Sequence, residues 1–154
     1  MDPEQGAGGA AAPCMVPPMV GFDRITSLPP DGLTEGDPTP GIVREVAFST
    51  SRATLTRVHA EGGVASGWHH HGDREVHGHV LRGRVRFEFG PGGTESTDVE
   101  EGGYFHVPRG IVHRDVNPTD TPQDLIIVFV GEGPLVVNLD GPAPAETAAA
   151  PRRA

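Results

Sequence analysis

Lysine is absent from this chain of 154 residues; all twelve of its basic residues are arginine. No side-chain amine is available to form a Schiff base with a carbonyl substrate or with pyridoxal phosphate, which removes that branch of covalent catalysis. Cysteine is almost as scarce. Cys14 stands alone, so a disulfide framework within one chain is impossible and the composition suits a reducing compartment. Long apolar runs are missing as well: the longest is Leu125 to Val130, far short of a membrane span or the core of a signal peptide. The first residues carry Asp2 and Glu4 rather than a basic stretch. The expectation is a cytoplasmic protein that does not bind membranes. Positive charge is also in deficit, with a formal net charge of −9 and acidic residues scattered along the chain. Phosphate backbones would be repelled on average, so nucleic acid is not expected as a partner.

Glycine and proline are plentiful, at 22 and 16 residues, and neither a long 3.6-residue apolar period nor a fixed-period repeat is visible. Punctuation this dense suits many short strands and excludes a helix bundle. The first twenty residues and the last fourteen are rich in Ala, Gly and Pro without periodicity, and are expected to be disordered tails (1–20 and 141–154). Between them, residues 21–140 are enough for one small β-barrel or sandwich. Strands are expected over Ile42–Ser49, Ala53–Ala60, Ser66–His70, Val76–Leu81, Arg84–Phe89, Tyr104–Val107, Val112–Asn117, Leu125–Val130 and Leu135–Leu139. In the fifth of these, Val85, Phe87 and Phe89 alternate with Arg84, Arg86 and Glu88, which describes a half-buried antiparallel strand with a solvated charged face. A turn at Gly90-Pro91-Gly92-Gly93 should follow it.

The histidines carry the chemical signal. His69, His70 and His71 are consecutive; on a strand the outer two share a face and the middle one points away. Two imidazoles at that spacing can reach one metal ion if a third ligand arrives from another strand. His113 can be that ligand. The stretch Gly102-x5-Pro108-x-Gly110-x2-His113-x3-Asn117 resembles the second cupin motif, and Gly63-x5-His69-x-His71-x3-Glu75 followed by Gly83 resembles the first. The resemblance covers Gly63 to Asn117. It implies an all-β, cupin-type double-stranded β-helix, a jelly-roll barrel of six to eight strands, with a metal in its mouth held by those histidines and often by the glutamate.

One departure bears on the ligand set. Counting back from Gly83 places Val76, not Glu75, at the usual carboxylate position. Strand alternation then aims Val76, Gly78 and Val80 inward and Glu75, His77 and His79 outward, and only a bulge could reverse Glu75. The expected metal ligands are therefore His69, His71 and His113. Trp68, Val76, Val80, Phe105 and Val112 are expected to wall a substrate pocket, and His106 either supports that pocket or lies on the surface. Three neutral imidazoles leave open coordination positions, and by resemblance to the three-His cupin dioxygenases Fe(II) and an oxygenase reaction on a small organic molecule are favoured. Zn(II), Mn(II) or Ni(II) would instead give a redox-silent isomerase or lyase, and a non-catalytic binding domain is a third reading. Outside this family, an ordinary β-sandwich with structural histidines is the competing reading. A homodimer is expected, because a small barrel carries exposed strands and the family pairs its barrels.

Overall fold

The alternation of buried and exposed side chains along short strands determines where this chain folds onto itself. The structure, a computed structural model, describes residues 23–145; the expected tail 1–20 and the C-terminal tail from 146 onward fall outside them. In chain order the strands are β1 (Thr34–Glu35), β2 (Val43–Ser49), β3 (Ala53–Ala60), β4 (His69–His70), β5 (Glu75–Arg82), β6 (Val85–Phe89), β7 (Glu95–Val99), β8 (Tyr104–Val107), β9 (His113–Val116), β10 (Gln123–Val130) and β11 (Val137–Asn138). They form two antiparallel sheets, one in the order β1-β2-β3-β10-β5-β8 and the other β11-β4-β9-β6-β7. This is the double-stranded β-helix. Among the described residues no helix is long and apolar enough to cross a membrane.

Period-two burial is clearest in β3, where Thr54, Thr56, Val58 and Ala60 are buried and the residues between them are half-exposed. In β5 the inward residues are Val76 and Val80, while His77 is exposed and Glu75 half-exposed. Register governs, and Glu75 faces outward. A bulge does occur in this strand, but at its far end, where Asp124 pairs with Arg82 and Leu125 with Val80, so it leaves the facing of Glu75 unchanged. Val58, Val76, Val80, Val85, Leu125 and Phe129 are the most deeply buried apolar side chains of the core. Burying such a side chain contributes about 1.5–3 kcal/mol each.

Several boundaries differ from the sequence reading. Of Ser66–His70 only the last two residues are strand, and Leu135–Leu139 shrinks to Val137–Asn138. The Leu135 carbonyl is instead occupied by the His71 side chain, at 2.7 Å. Val112–Asn117 reduces to His113–Val116, because Asn117 turns into a loop that its own side chain holds. β7, with the sequence Glu-Ser-Thr-Asp-Val, was not expected; its one buried residue is Val99. The turn after β6 is a single 3₁₀ turn, Pro91–Gly93. Residues of the expected C-terminal tail dock against it, for the Gly92 N–H donates to the Ala143 carbonyl at 2.8 Å.

Candidate metal centre

Two strands, β4 and β9, and the turn that follows β4 bring His69, His71 and His113 together in the interior, all buried and with one ring nitrogen from each in mutual reach. The ring centroids lie 4.4 Å apart for His69 and His113, and 5.1 Å for each pair involving His71. His69 and His113 are directly paired across β4 and β9. That pairing depends on the Pro108-x-Gly110 turn. Gly110 has a φ of +70°, a conformation that costs a residue with a Cβ free energy, and its N–H donates to the Gly72 carbonyl at 3.0 Å. The two ligand-bearing loops are thereby tied to each other. His70 points the other way and accepts the Gly72 N–H at 2.9 Å.

The hydrogen bonds of the three rings settle their chemistry. Each Nδ1 meets a backbone carbonyl: Gly67 for His69 at 2.8 Å, Leu135 for His71 at 2.7 Å and Ile111 for His113 at 2.9 Å. A carbonyl only accepts, so each Nδ1 carries the proton and each Nε2 presents a lone pair. Burial, with smaller contributions from the nearby His113 and His69 rings and from Arg44, lowers the His71 pKa to about 2. Burial likewise lowers that of His69 to about 4, although the Asp115 carboxylate opposes the shift. Both rings are neutral near pH 7. Three buried imidazoles, each with Nδ1 tied to a carbonyl and Nε2 turned inward, form the donor set of a divalent transition-metal site, and the residues fit such an ion.

Asp115 is a fourth polar group in the interior. It follows His113 by two residues on β9 and shares its face, so the same alternation that pairs His69 with His71 is the sequence signal for it. Its Oδ1 lies 3.8 Å from His69 Nε2 and 3.7 Å from His113 Nε2. Arg44 is also buried and inward; its Nη1 donates to the Asp37 carbonyl at 2.5 Å and to Thr39 Oγ1 at 3.3 Å.

Glu75 lies well away from this cluster, on the outer face. Its Oε1 sits 2.8 Å from His77 Nε2 and 3.0 Å from His106 Nε2, and the His106 hydrogen bond, more than the His77 one, holds its carboxyl below the usual range. His106 is exposed on β8, with its ring 5.0 Å from that of His77, and it also stands at the wall of the cavity between the sheet edges.

A cavity of about 410 Å³ opens between the free edges of the two sheets, lined chiefly by Phe87, Phe89, Val99, Phe105 and Ile111, with His113 at its wall. Of the residues expected to wall a pocket, Phe105 takes that place. Its ring occupies the space above Gly78, where an added Cβ would come within 2.1 Å of it. Val76 and Val80 are packed in the core. Trp68 is on the outer side, with the Arg114 guanidinium 4.9 Å from its ring, because it alternates with His69 and must face away from the interior. Val112 is half-buried immediately before β9 and is not part of the cavity wall.

The profile of the cupin domain family matches residues 56–131. No curated protein matches the chain in sequence. Among solved structures, an uncharacterised conserved protein with a double-stranded β-helix domain from Klebsiella pneumoniae superposes with a TM-score of 0.57 at 20% identity, over 68% of this chain and 90% of the other. Oxalate decarboxylase of Bacillus subtilis, described with Mn(II) centres, gives a TM-score of 0.59 at 20% identity, over 69% of this chain and 30% of its own. An oxalate oxidase in complex with the substrate analogue glycolate gives 0.51 at 25% identity, over 56% and 46%. This chain therefore spans less than half of either oxalate enzyme.

Proposed function

Because the chain belongs to the cupin superfamily and gathers three buried imidazoles at one point, we propose that it is a metal-dependent cupin that holds one divalent ion through His69, His71 and His113 and acts on a small organic molecule. Its finer assignment is a mononuclear Fe(II) oxygenase, working in the cytoplasm as a homodimer. The observation that carries the reading is the fixed tautomer of all three rings: every Nδ1 is held by a carbonyl, which leaves every Nε2 as an inward lone pair. A divalent ion supplies Lewis acidity at its open positions and, as iron, chemistry with dioxygen.

The chain's own residues do the rest. The Gly67, Leu135 and Ile111 carbonyls keep the ligands oriented and basic. Phe87, Phe89, Phe105 and Ile111 give the cavity an apolar wall, which would bind the carbon skeleton of a substrate and exclude water. The likeness to an oxalate oxidase bound to glycolate supports a substrate that carries oxygen ligands, while the apolar wall favours one with a larger apolar body than oxalate. Purified protein loaded with Fe(II) should consume oxygen in the presence of a suitable diketone or hydroxy acid, and His113→Ala should abolish this. Turnover without oxygen consumption would move the reading to redox-silent isomerase or lyase chemistry.

A further inference from the structure

Histidines also converge on the outer face of the six-stranded sheet. There β5 presents Glu75 and His77 two residues apart on one side of the strand, and β8, the edge strand, places His106 directly opposite His77. The geometry points to a second metal site, formed by Glu75, His77 and His106, that takes Zn(II) at the rim of the cavity. This site shares no residue with the interior cluster and does not rest on the reading of that cluster.

One ligand atom from each of the three residues lies within 4.8 Å of the other two, and the His77 and His106 ring centroids are 5.0 Å apart. Both rings turn the same nitrogen, Nε2, toward the same oxygen, Glu75 Oε1, at 2.8 and 3.0 Å. Donors arranged tetrahedrally around one zinc ion stand about 3.3 Å from each other, so a small turn of the carboxylate admits the ion. Glu75 is free to make that turn, since its side chain is 35% exposed. Each imidazole then keeps its proton on Nδ1 and offers the Nε2 lone pair, which a neutral ring does by a change of tautomer alone.

The backbone and the donor types favour the same ion. Strand pairing sets Val76 opposite Val107 and His77 opposite His106 before any cation arrives, so little freedom is lost on binding. Two nitrogen donors and one carboxylate suit zinc, whereas magnesium and calcium demand oxygen ligands. Both rings are about half exposed; water completes the coordination, and the ion exchanges with solvent. Protein purified without added zinc should therefore carry none here, and its metal content reports the interior centre alone. Once bound, the ion would tie β8, which carries Phe105 of the cavity wall, to β5, and would set a positive charge beside the cavity in a chain of net charge −9.

The test is equilibrium dialysis of the full chain against increasing Zn(II), with no other ligand added. Unsubstituted protein should take up one exchangeable ion per chain beyond any ion retained on purification, and Mg(II) should not replace it. His77→Ala and His106→Ala should each weaken that uptake about tenfold or more, and Glu75→Gln should weaken it too. His79→Ala should leave it unchanged, because His79 lies on the same strand with its ring against Tyr104, outside the cluster. His69→Ala should lose the retained ion and keep the exchangeable one, so the two centres fail in different variants. No exchangeable zinc in the unsubstituted protein, or equal uptake after His77 and His106 are both replaced by Ala, would overturn the outer site and leave the interior one standing. Exchangeable zinc that depends on His77 and His106, in a protein that retains no ion on purification, would uphold the outer site and overturn the interior one.

Discussion

Gly78 shows how one missing Cβ shapes the candidate pocket. The Phe105 ring lies over this glycine, and a methyl group there would sit 2.1 Å from the ring's far carbon. Gly78→Ala should therefore drive the ring into the cavity, destabilise the fold by about 1–3 kcal/mol as an overpacking change, and reduce the volume open to substrate. Thermal melts and binding of an apolar probe check both effects. The neighbouring strand position follows the same logic: Val76→Ala should leave metal content intact, and so should Glu75→Ala, as determined by metal analysis. Two-residue alternation was enough to read these facings from the sequence, as it was for His69 and His71, whereas His113 was legible through the resemblance of its stretch to the second cupin motif. What it could not supply is the partner of each ring. The carbonyl that fixes His71 belongs to Leu135, 64 residues further on, and only the closed fold brings it there.

Between residues and the whole fold, loops and strand pairs decide which local signals hold. Asn117 ends the second motif, and in the structure it is a loop clamp rather than part of the metal site. Its Nδ2 donates to the carbonyls of Glu61 and Thr121 at 3.1 and 2.7 Å, and its Oδ1 accepts from the N–H and hydroxyl of Thr119 at 3.1 and 2.8 Å. Asn117→Ala should cost about 2–4 kcal/mol, since four part-buried hydrogen bonds of one loop are lost together, and should lower the melting temperature by about 10 °C with metal stoichiometry unchanged. The strand β7 was illegible for a different reason. Four of its five residues are polar and exposed, so it has no hydrophobic alternation to detect; it exists through pairing with β6, along which Arg86 Nε meets Asp98 Oδ1 at 2.7 Å. Strands such as β6 and β10, by contrast, carry apolar side chains at the positions they bury, and their expected ranges came within two residues of the observed ones.

At the scale of the molecule, the buried rings couple metal binding to folding. The folded-state pKa of His69 lies near 4 and that of His71 near 2, against an ordinary value of 6.5. As pH falls below about 6.5 the unfolded chain takes up protons that the folded chain refuses, so protonation favours unfolding. Metal-free protein should therefore lose stability progressively from pH about 6.5 down through 4, and a bound ion should add stability by mass action above that window; denaturant titrations at a series of pH values check both trends. The open edges of both sheets are the reason to expect a homodimer, and sedimentation at micromolar concentration should find a species of twice the chain mass. The most direct test of the metal centre itself is metal content. Close to one divalent ion per chain is expected in the purified protein, retained in Glu75→Gln and lost when His69, His71 and His113 are all replaced by Ala. Undiminished metal in that triple variant would contradict it.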